Sequence, residues 1–413
     1  MCSTKPALYG VLTGCAYAML LTTSLAATIT ETVDGVPTQF EEQTEDGMAA
    51  LGSVADIIVM PDGFHIEPYA LVPDARHMAV AADGKTVFVG TTTDQVWVIT
   101  QDENTMKAAE VREFAPSQSF ILPNGVCFTD DGSLVVAEQN RVVSFPNALE
   151  NKEQGDPEVK ILVGQGMLIP PSEESFNHSS RVCDQGPDGR IYISLGQPYN
   201  VPPKEKLKLY DSLGIGGIIS IDTEGLDRQV YATGIRNSVG LEFNPNSGNL
   251  WFTDNQVDGM GDDIPPEELN KVTEPGKNYG FPWYGGGTVR THEYIDEPIP
   301  EGVVDPEVEL DAHAASLGMM FYQGDMFPEE YKGGIFIAQH GSWDRSVPIG
   351  ARVVFVPINE QEEAGVPSIV ATGWIDANEA YLGRPVDVVE LGDGSLLISD
   401  DSAGAIYRMY YED

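Results

Sequence analysis

Six histidines are spread over 413 residues, few enough for each to be weighed. His178, in Asn177-His178-Ser179-Ser180-Arg181, stands just ahead of a strand-like apolar run, where a loop would lift it onto a face of the fold. A neutral imidazole there is suited to general-base work near physiological pH, although a loop histidine taken alone is more often structural. His340, in Gln339-His340-Gly341-Ser342-Trp343-Asp344-Arg345, has the same placement beside an aromatic ring and an arginine; His313 shares it, while His65, His77 and His292 read as peripheral. Arginine recurs at strand ends and turns, at Arg76, Arg181, Arg236, Arg345 and Arg384. A guanidinium holds a planar carboxylate or a quinone oxygen in bidentate fashion, but for any one of these arginines a pairing with the abundant Asp and Glu is the favoured reading. Gly234-Ile235-Arg236-Asn237-Ser238 is the sharpest case, because Gly and Asn bracket the arginine in a turn.

A second constellation is Thr253-Asp254-Asn255-Gln256-Val257-Asp258-Gly259-Met260-Gly261-Asp262-Asp263. Closely spaced carboxylates, amides and Gly turns suit calcium, a hard cation that takes six to eight oxygens. The register is not that of an EF-hand, and in so acidic a chain the spacing leaves a solvated loop equally open. Other chemistries are excluded by absence: there is no G-x-S-x-G, no G-x-x-x-x-G-K-[ST] and no H-E-x-x-H. Gly214-Ile215-Gly216-Gly217 lacks the third glycine and leads into Ile218-Ile219-Ser220-Ile221, a strand and not a helix, so it is no dinucleotide site.

The elements that must carry these residues follow one device. A polar turn with Gly is followed by a short run rich in Val, Ile, Phe, Tyr or Trp: Asp83-Gly84, Asp131-Gly132, Asp188-Gly189, Ser247-Gly248, Gly333-Gly334 and Asp393-Gly394 precede residues 86–90, 134–138, 191–195, 250–254, 335–339 and 396–400. Such bounded β-branched and aromatic runs are the signature of strands and hairpins. The turns recur every 48 to 60 residues except for one step of 86, near or above the about 40 to 50 residues of a four-stranded blade. The reading is all-β, a six-bladed β-propeller over residues 59–413, in preference to a two-sheet sandwich, which offers no reason for a repeat. The long step is expected to hold an insertion, roughly residues 256–311, on the binding face.

Lys and Arg number 23 against 64 Asp and Glu, a formal charge of −41. That excludes nucleic acid and disfavours an anionic membrane surface, since both require clustered cations. Apolar residues make up 42% of the chain, so the acidity belongs to the surface of a folded protein. Residues 1–27 hold one charge, Lys5, and end in Ser24-Leu25-Ala26-Ala27, the form of a cleaved secretory signal. The alternatives are a retained anchor, for which the Gly and Thr content is poor, and the lipoprotein-type Leu12-Thr13-Gly14-Cys15, whose preceding apolar stretch is short. The mature chain is therefore expected in the periplasm or outside the cell, with no stable membrane span. Residues 28–58, acidic and without clear periodicity, are expected as an extended N-terminal stretch. Cleavage leaves Cys127 and Cys183, whose strand placement favours buried free thiols over a bridge.

At these residues the chain resembles a known family. His178-x-x-Arg181 before Gly186-Pro187-Asp188-Gly189, Gly234-Ile235-Arg236-Asn237 with Gly240-Leu241-Glu242-Phe243-Asn244-Pro245, and Asn278-Tyr279-Gly280-Phe281-Pro282-Trp283 resemble the soluble glucose and sorbosone dehydrogenases that use pyrroloquinoline quinone. The sorbosone-type branch is nearer, through Asp74-Ala75-Arg76-His77-Met78, Asp258-Gly259-Met260-Gly261-Asp262-Asp263, His340-Gly341-Ser342-Trp343-Asp344-Arg345 and Gly383-Arg384-Pro385-Val386-Asp387-Val388. The ordered set covers about residues 60–411.

The resemblance implies a propeller holding the quinone and Ca2+ on one face, with oxidation of a sugar at its anomeric or aldehyde carbon and electrons passed to an external acceptor, a quinone or a cytochrome. It implies His178 as the base and Arg236 beside it, Arg181, Arg236, Asn237, His340, Arg345 and Arg384 as cofactor contacts, and Gln256, Val257, Asp258, Asp262 and Asp263 around the calcium. Three positions depart from the glucose-oxidising pattern: Asn177 replaces an acid before the base, Val386 replaces an arginine, and the cofactor lysine has no lysine counterpart, His340 being the nearest residue to its place. The rivals are a calcium-dependent lactonase propeller and a non-catalytic binding propeller.

Overall fold

The computed structural model describes residues 27–102 and 104–412, so all but the last residue of the expected signal segment lies outside the described residues. In every one of the six Gly-bearing turns one glycine, Gly333 in the Gly333-Gly334 turn, has a positive φ, between 72° and 86°, a conformation open to residues without a Cβ. Each turn folds an innermost strand onto the second strand of a blade, and the second strands are Thr86–Val89, Leu134–Ala137, Ile191–Leu195, Leu250–Asp254, Ile335–Gln339 and Leu396–Asp400. The innermost strands are Met78–Val80, Gly125–Phe128, Cys183–Gln185, Leu241–Phe243, Ser316–Phe321 and Pro385–Glu390. Six sheets result, antiparallel except for the short parallel edge strand Lys277–Asn278 of the third, arranged as a β-propeller. The ring closes where Ala405–Tyr411, near the C-terminus, pairs with Phe64–Leu71 from the N-terminal side.

Period-2 alternation explains why the strands are apolar throughout. Ile335 and Ile337 pack toward the fourth blade with Trp251 and Phe321, while Phe336 and Ala338 pack toward the sixth with Ile398 and Tyr407. Both faces of a blade are covered by neighbours, so neither can be polar. Around the axis, side chains of innermost strands accept from backbone N–H groups of the adjacent blade: Asp184 from Phe243 (3.0 Å), Glu242 from Phe321 (2.6 Å) and Asp387 from Met78 (2.8 Å). Asp387 is buried and Asp184 and Glu242 are half-buried, and loss of hydration pushes Asp184 up to about 6 and Asp387 up to about 7, and raises Glu242 as well.

Four expectations are corrected. The step of 86 residues is not all insertion: Glu267–Val272 and Val308–Leu310 are the third and fourth strands of the fourth blade. Glu267-Glu268-Leu269-Asn270 does not read as a strand because its two glutamates are polar, yet both are buried and hydrogen-bonded. Residues 28–58 are not extended throughout. Ala27–Val33 and Val36–Glu42 form a hairpin added to the outer edge of the first blade, and the helix Glu45–Ala55, capped by Thr44, packs Leu51 and Ala55 onto the core between the fifth and sixth blades. Cys127 and Cys183 are not free thiols but a disulfide joining the innermost strands of the second and third blades. His77 is not peripheral: its ring is buried against the Val239 carbonyl and Asn124 near the axis.

Candidate active site

In an antiparallel pair the first strand begins at the end where the second one finishes. Loops leading into innermost strands and loops leaving second strands therefore emerge on one face of the propeller. That brings Arg76, His178, Arg236 and Arg384, each ahead of an innermost strand, together with Asn200, Asp258, His340, Trp343 and Asp401, each after a second strand. They line a cleft of about 870 Å³ with Asn237, Asn177 and Phe176, within the size range of ligand sites.

On one wall the His178 Nδ1–H donates to the Gln197 carbonyl at 2.5 Å, which fixes the ring and leaves Nε2 as its basic atom. The orientation that an acid before the base would supply comes instead from this carbonyl; Asn177 is exposed. Burial, with the positive charges of Arg236 and Arg181, pushes His178 down to about 3, so the ring is neutral at physiological pH. Gly196 makes the arrangement possible, because a Cβ there would lie 2.5 Å from Asn237 Oδ1 and 2.7 Å from the His178 carbonyl. Gly234, at φ +70°, starts the turn that presents Ile235-Arg236-Asn237, and Asp254 clamps that turn by accepting from the backbone N–H groups of Arg236 (3.0 Å) and Asn237 (2.7 Å). Arg236 in turn binds the Asn200 and Asn255 carbonyls and Asp258 (2.6 Å).

On the other wall Asp401 accepts from Arg76 at 2.7 Å and contacts His340 Nε2 at 2.8 Å. Though burial opposes it, the charges and hydrogen bonds of His340 and Arg76 hold Asp401 well below the usual carboxylate range. Arg384 donates to the His340 carbonyl (3.0 Å) and that of Gly341 (2.5 Å) and lies over the Tyr381 ring. These bonds leave Nη2 of Arg76 and Nη1 of Arg384 with no protein partner among the described residues. Three arginines against Asp258 and Asp401 make the cleft an anion-seeking site in an acidic molecule.

Of the expected site residues, the cleft gathers His178, Arg236, Asn237, Asp258, His340 and Arg384. Arg181 is not among the cleft-lining residues; it is buried, and its guanidinium serves the Gln139, His178 and Gly196 carbonyls, so it supports the His178 loop from behind. Arg345 is drawn away to Asp263 (3.1 Å) and the Ala312 carbonyl. Asp262 accepts from the Ser346 backbone and hydroxyl, and Asp263 is exposed, so neither converges with Gln256 and Val257. Gln256 and Val257 are buried and are not among the cleft-lining residues, and nothing in the described residues donates to their main-chain carbonyls. The Gln256 side chain instead reaches Asp254 at 3.0 Å. Asn200 and Asp401 escaped notice in the sequence, their only signal being a position just past a second strand, and Asp254 was read only as part of the calcium-like stretch.

Residues 158–342 match the family model described as Glucose / Sorbosone dehydrogenase, and residues 287–412 the one described as TrAA12-like. An uncharacterized protein of Borreliella burgdorferi is 29% identical over 372 residues, 88% of this chain and 93% of its own. The pyrroloquinoline quinone-dependent pyranose dehydrogenase of Coprinopsis cinerea is 26% identical over 54% of this chain, which spans 36% of that protein. The aldose sugar dehydrogenase YliI of Escherichia coli is 31% identical over 58% of this chain and 62% of its own. Among solved structures, a Trichoderma reesei enzyme of carbohydrate-active family AA12 aligns with a TM-score of 0.71 at 19% identity, over 86% of this chain and 97% of that one. The quinone-binding domain of the Coprinopsis enzyme, in holo form, aligns at 0.68 and 19% over the same shares. Residues 158–342 are thus similar to glucose/sorbosone dehydrogenases, quinone-dependent dehydrogenases are among the proteins the chain resembles, and the six-bladed propeller fold is shared with them.

Proposed function

We propose that the protein is an exported quinone- and calcium-dependent dehydrogenase that oxidises a sugar, an aldose or a sorbosone-like compound, at its anomeric or aldehyde carbon. The observation that carries this reading is the meeting, in one cleft, of a fixed neutral imidazole with the Arg76 and Arg384 guanidinium groups, each of which keeps one nitrogen without a protein partner among the described residues. Pyrroloquinoline quinone is a tricarboxylate, and the site's chemistry fits it: Arg76 and Arg384 would hold carboxylates, and His340 and Asn237, whose buried Oδ1 is unpartnered, would flank it. The Gln256 and Val257 carbonyls would hold calcium. When bound, the quinone supplies the two-electron acceptor for the substrate's hydride.

The chain's own contribution is proton transfer and orientation. His178 Nε2 takes the hydroxyl proton, and the resulting imidazolium donates its Nδ1–H to Gln197 throughout. Arg236 sits beside the reacting group, held by Asn200, Asn255 and Asp258 so that it does not swing. The electrons leave to a separate acceptor, a quinone or a cytochrome, and the charge of −41 favours a cationic one by steering. Export is supported by the N-terminal residues and by the disulfide, which persists in oxidising compartments. The test is dye-linked oxidation of a panel of aldoses and sorbosone, with and without added quinone and calcium. Turnover that needs both is expected; absence of turnover together with no quinone binding would overturn the reading in favour of a lactonase or a binding propeller.

A further inference from the structure

The carboxylates expected around one calcium separate in the fold, and one of them joins a different donor set. Asp258 follows the second strand of the fourth blade, His313 precedes the innermost strand of the fifth, and Asp344 follows its second strand. One donor atom from each lies within 4.8 Å of one from each of the others. Every member already has one atom engaged by protein. Asp258 holds Arg236 at 2.6 Å, and Asp344 Oδ2 accepts from the Gly259 N–H at 2.6 Å. His313 Nε2 faces two carbonyls, Gly261 at 2.9 Å and Ile264 at 3.1 Å. Carbonyls only accept, so Nε2 carries the proton and the neutral ring keeps its lone pair on Nδ1. Anchoring one ring nitrogen on a backbone carbonyl is how ligating imidazoles are oriented toward a metal.

We propose that Asp258, His313 and Asp344 bind a first-row divalent transition cation, Zn2+ or Mn2+, at the rim of the cleft. An imidazole with two carboxylates suits such ions, whereas calcium takes an all-oxygen shell. The three protein ligands leave coordination positions for water. The site is separate from the Gln256 and Val257 carbonyls. It ties the loop after residue 254 to the loop after residue 339, and through Asp258 it steadies Arg236. It does not depend on the dehydrogenase reading, because metal binding is measured without quinone or sugar.

The experiment is calorimetric titration of the chelator-stripped full-length protein with Zn2+, Mn2+ and Ca2+, alongside melting temperatures with and without Zn2+. Expected is one Zn2+ or Mn2+ per chain, bound at least about 10-fold more tightly than Ca2+, with a rise in Tm. His313→Gln and Asp344→Asn are each expected to weaken that binding by about 10-fold or more and to abolish the Tm rise. Asp344 lies on a loop at the surface, so its variant tests the site even if His313→Gln fails to fold. Absence of Zn2+ and Mn2+ binding, Ca2+ binding more tightly than either, or unchanged affinity in Asp344→Asn would overturn the proposal.

Discussion

The acid tolerance of turnover is the most direct reading of how His178 is held. Its ring is half-buried beside two guanidinium groups, and its pKa falls to about 3. At about pH 5 such a ring is ~99% neutral, whereas a histidine titrating near 6.5 would be only ~3% neutral. With His178 as base, kcat/KM is therefore expected to change by less than about twofold between roughly pH 7.5 and 5; an ordinary histidine would lose ~30-fold. The assay is dye-linked oxidation by the quinone-loaded enzyme, using an acceptor whose own reduction is insensitive to pH. His178→Gln keeps a hydrogen-bonding side chain but removes the base, and should lower kcat by about 10²–10⁴-fold with quinone affinity retained. Arg181→Met removes one of the two charges acting on the ring, so the acid limb should move upward in pH. A limb with an apparent pKa between about 6 and 7 in the parent enzyme would refute the environment drawn for the base. Turnover by His178→Gln within about tenfold of the parent would refute its role.

Three further outcomes follow from the geometry. Asp401→Asn takes the carboxylate from Arg76 and His340 at once, and quinone affinity should fall by about 10- to 100-fold, measured by fluorescence titration, with the His178 wall untouched. The disulfide closes 56 residues of sequence separation, so Cys127→Ala with Cys183→Ala should lower stability by about 4 kcal/mol in denaturant melts, and a reductant should have no effect on the double variant. Asp184, Asp387 and Asp400 titrate in the folded protein at about 6, 7 and 7, above their unfolded values, because burial disfavours their charge. The folded state binds more protons there, so this stabilisation is complete at acidic pH and is lost as pH climbs through those values. His77 and His178 act oppositely: both are pushed down to about 3 by burial, and stability falls as pH drops below the ordinary histidine range. From about pH 3 to 4 only the two histidines change and stability rises with pH, whereas above about pH 4 the three aspartates lose more than the two histidines regain, so Tm should peak near about pH 4, and a peak above about pH 8 would contradict these environments.

Much of this architecture is local information. A Gly with positive φ two or three residues before a β-branched run sets a hairpin, and six such signals at a near-constant spacing are enough to define six blades. The same reasoning places His178, Arg236 and Arg384 on one face, because strand direction alone decides at which end a loop emerges. What could not be read locally depends on contacts across the ring. Glu267–Val272 is a strand that looks like a loop, since its buried glutamates are satisfied by the Ala315, Ser316 and Gly287 N–H groups, which lie far away in the chain. Cys127 and Cys183 pair only because neighbouring innermost strands bring their Cα atoms to 5.8 Å. Arg76 and Asp401 are 325 residues apart and meet because closure of the propeller makes the first and sixth blades neighbours. Arg181, Arg345, Asp262 and Asp263 carry the right chemistry, but the fold turns them to other partners. Residue type and spacing determined which groups could act and which end of the strands presents them; the tertiary structure alone decided which of them face one another, because a side chain's partners are set by ring closure and blade packing and not by its neighbours in sequence.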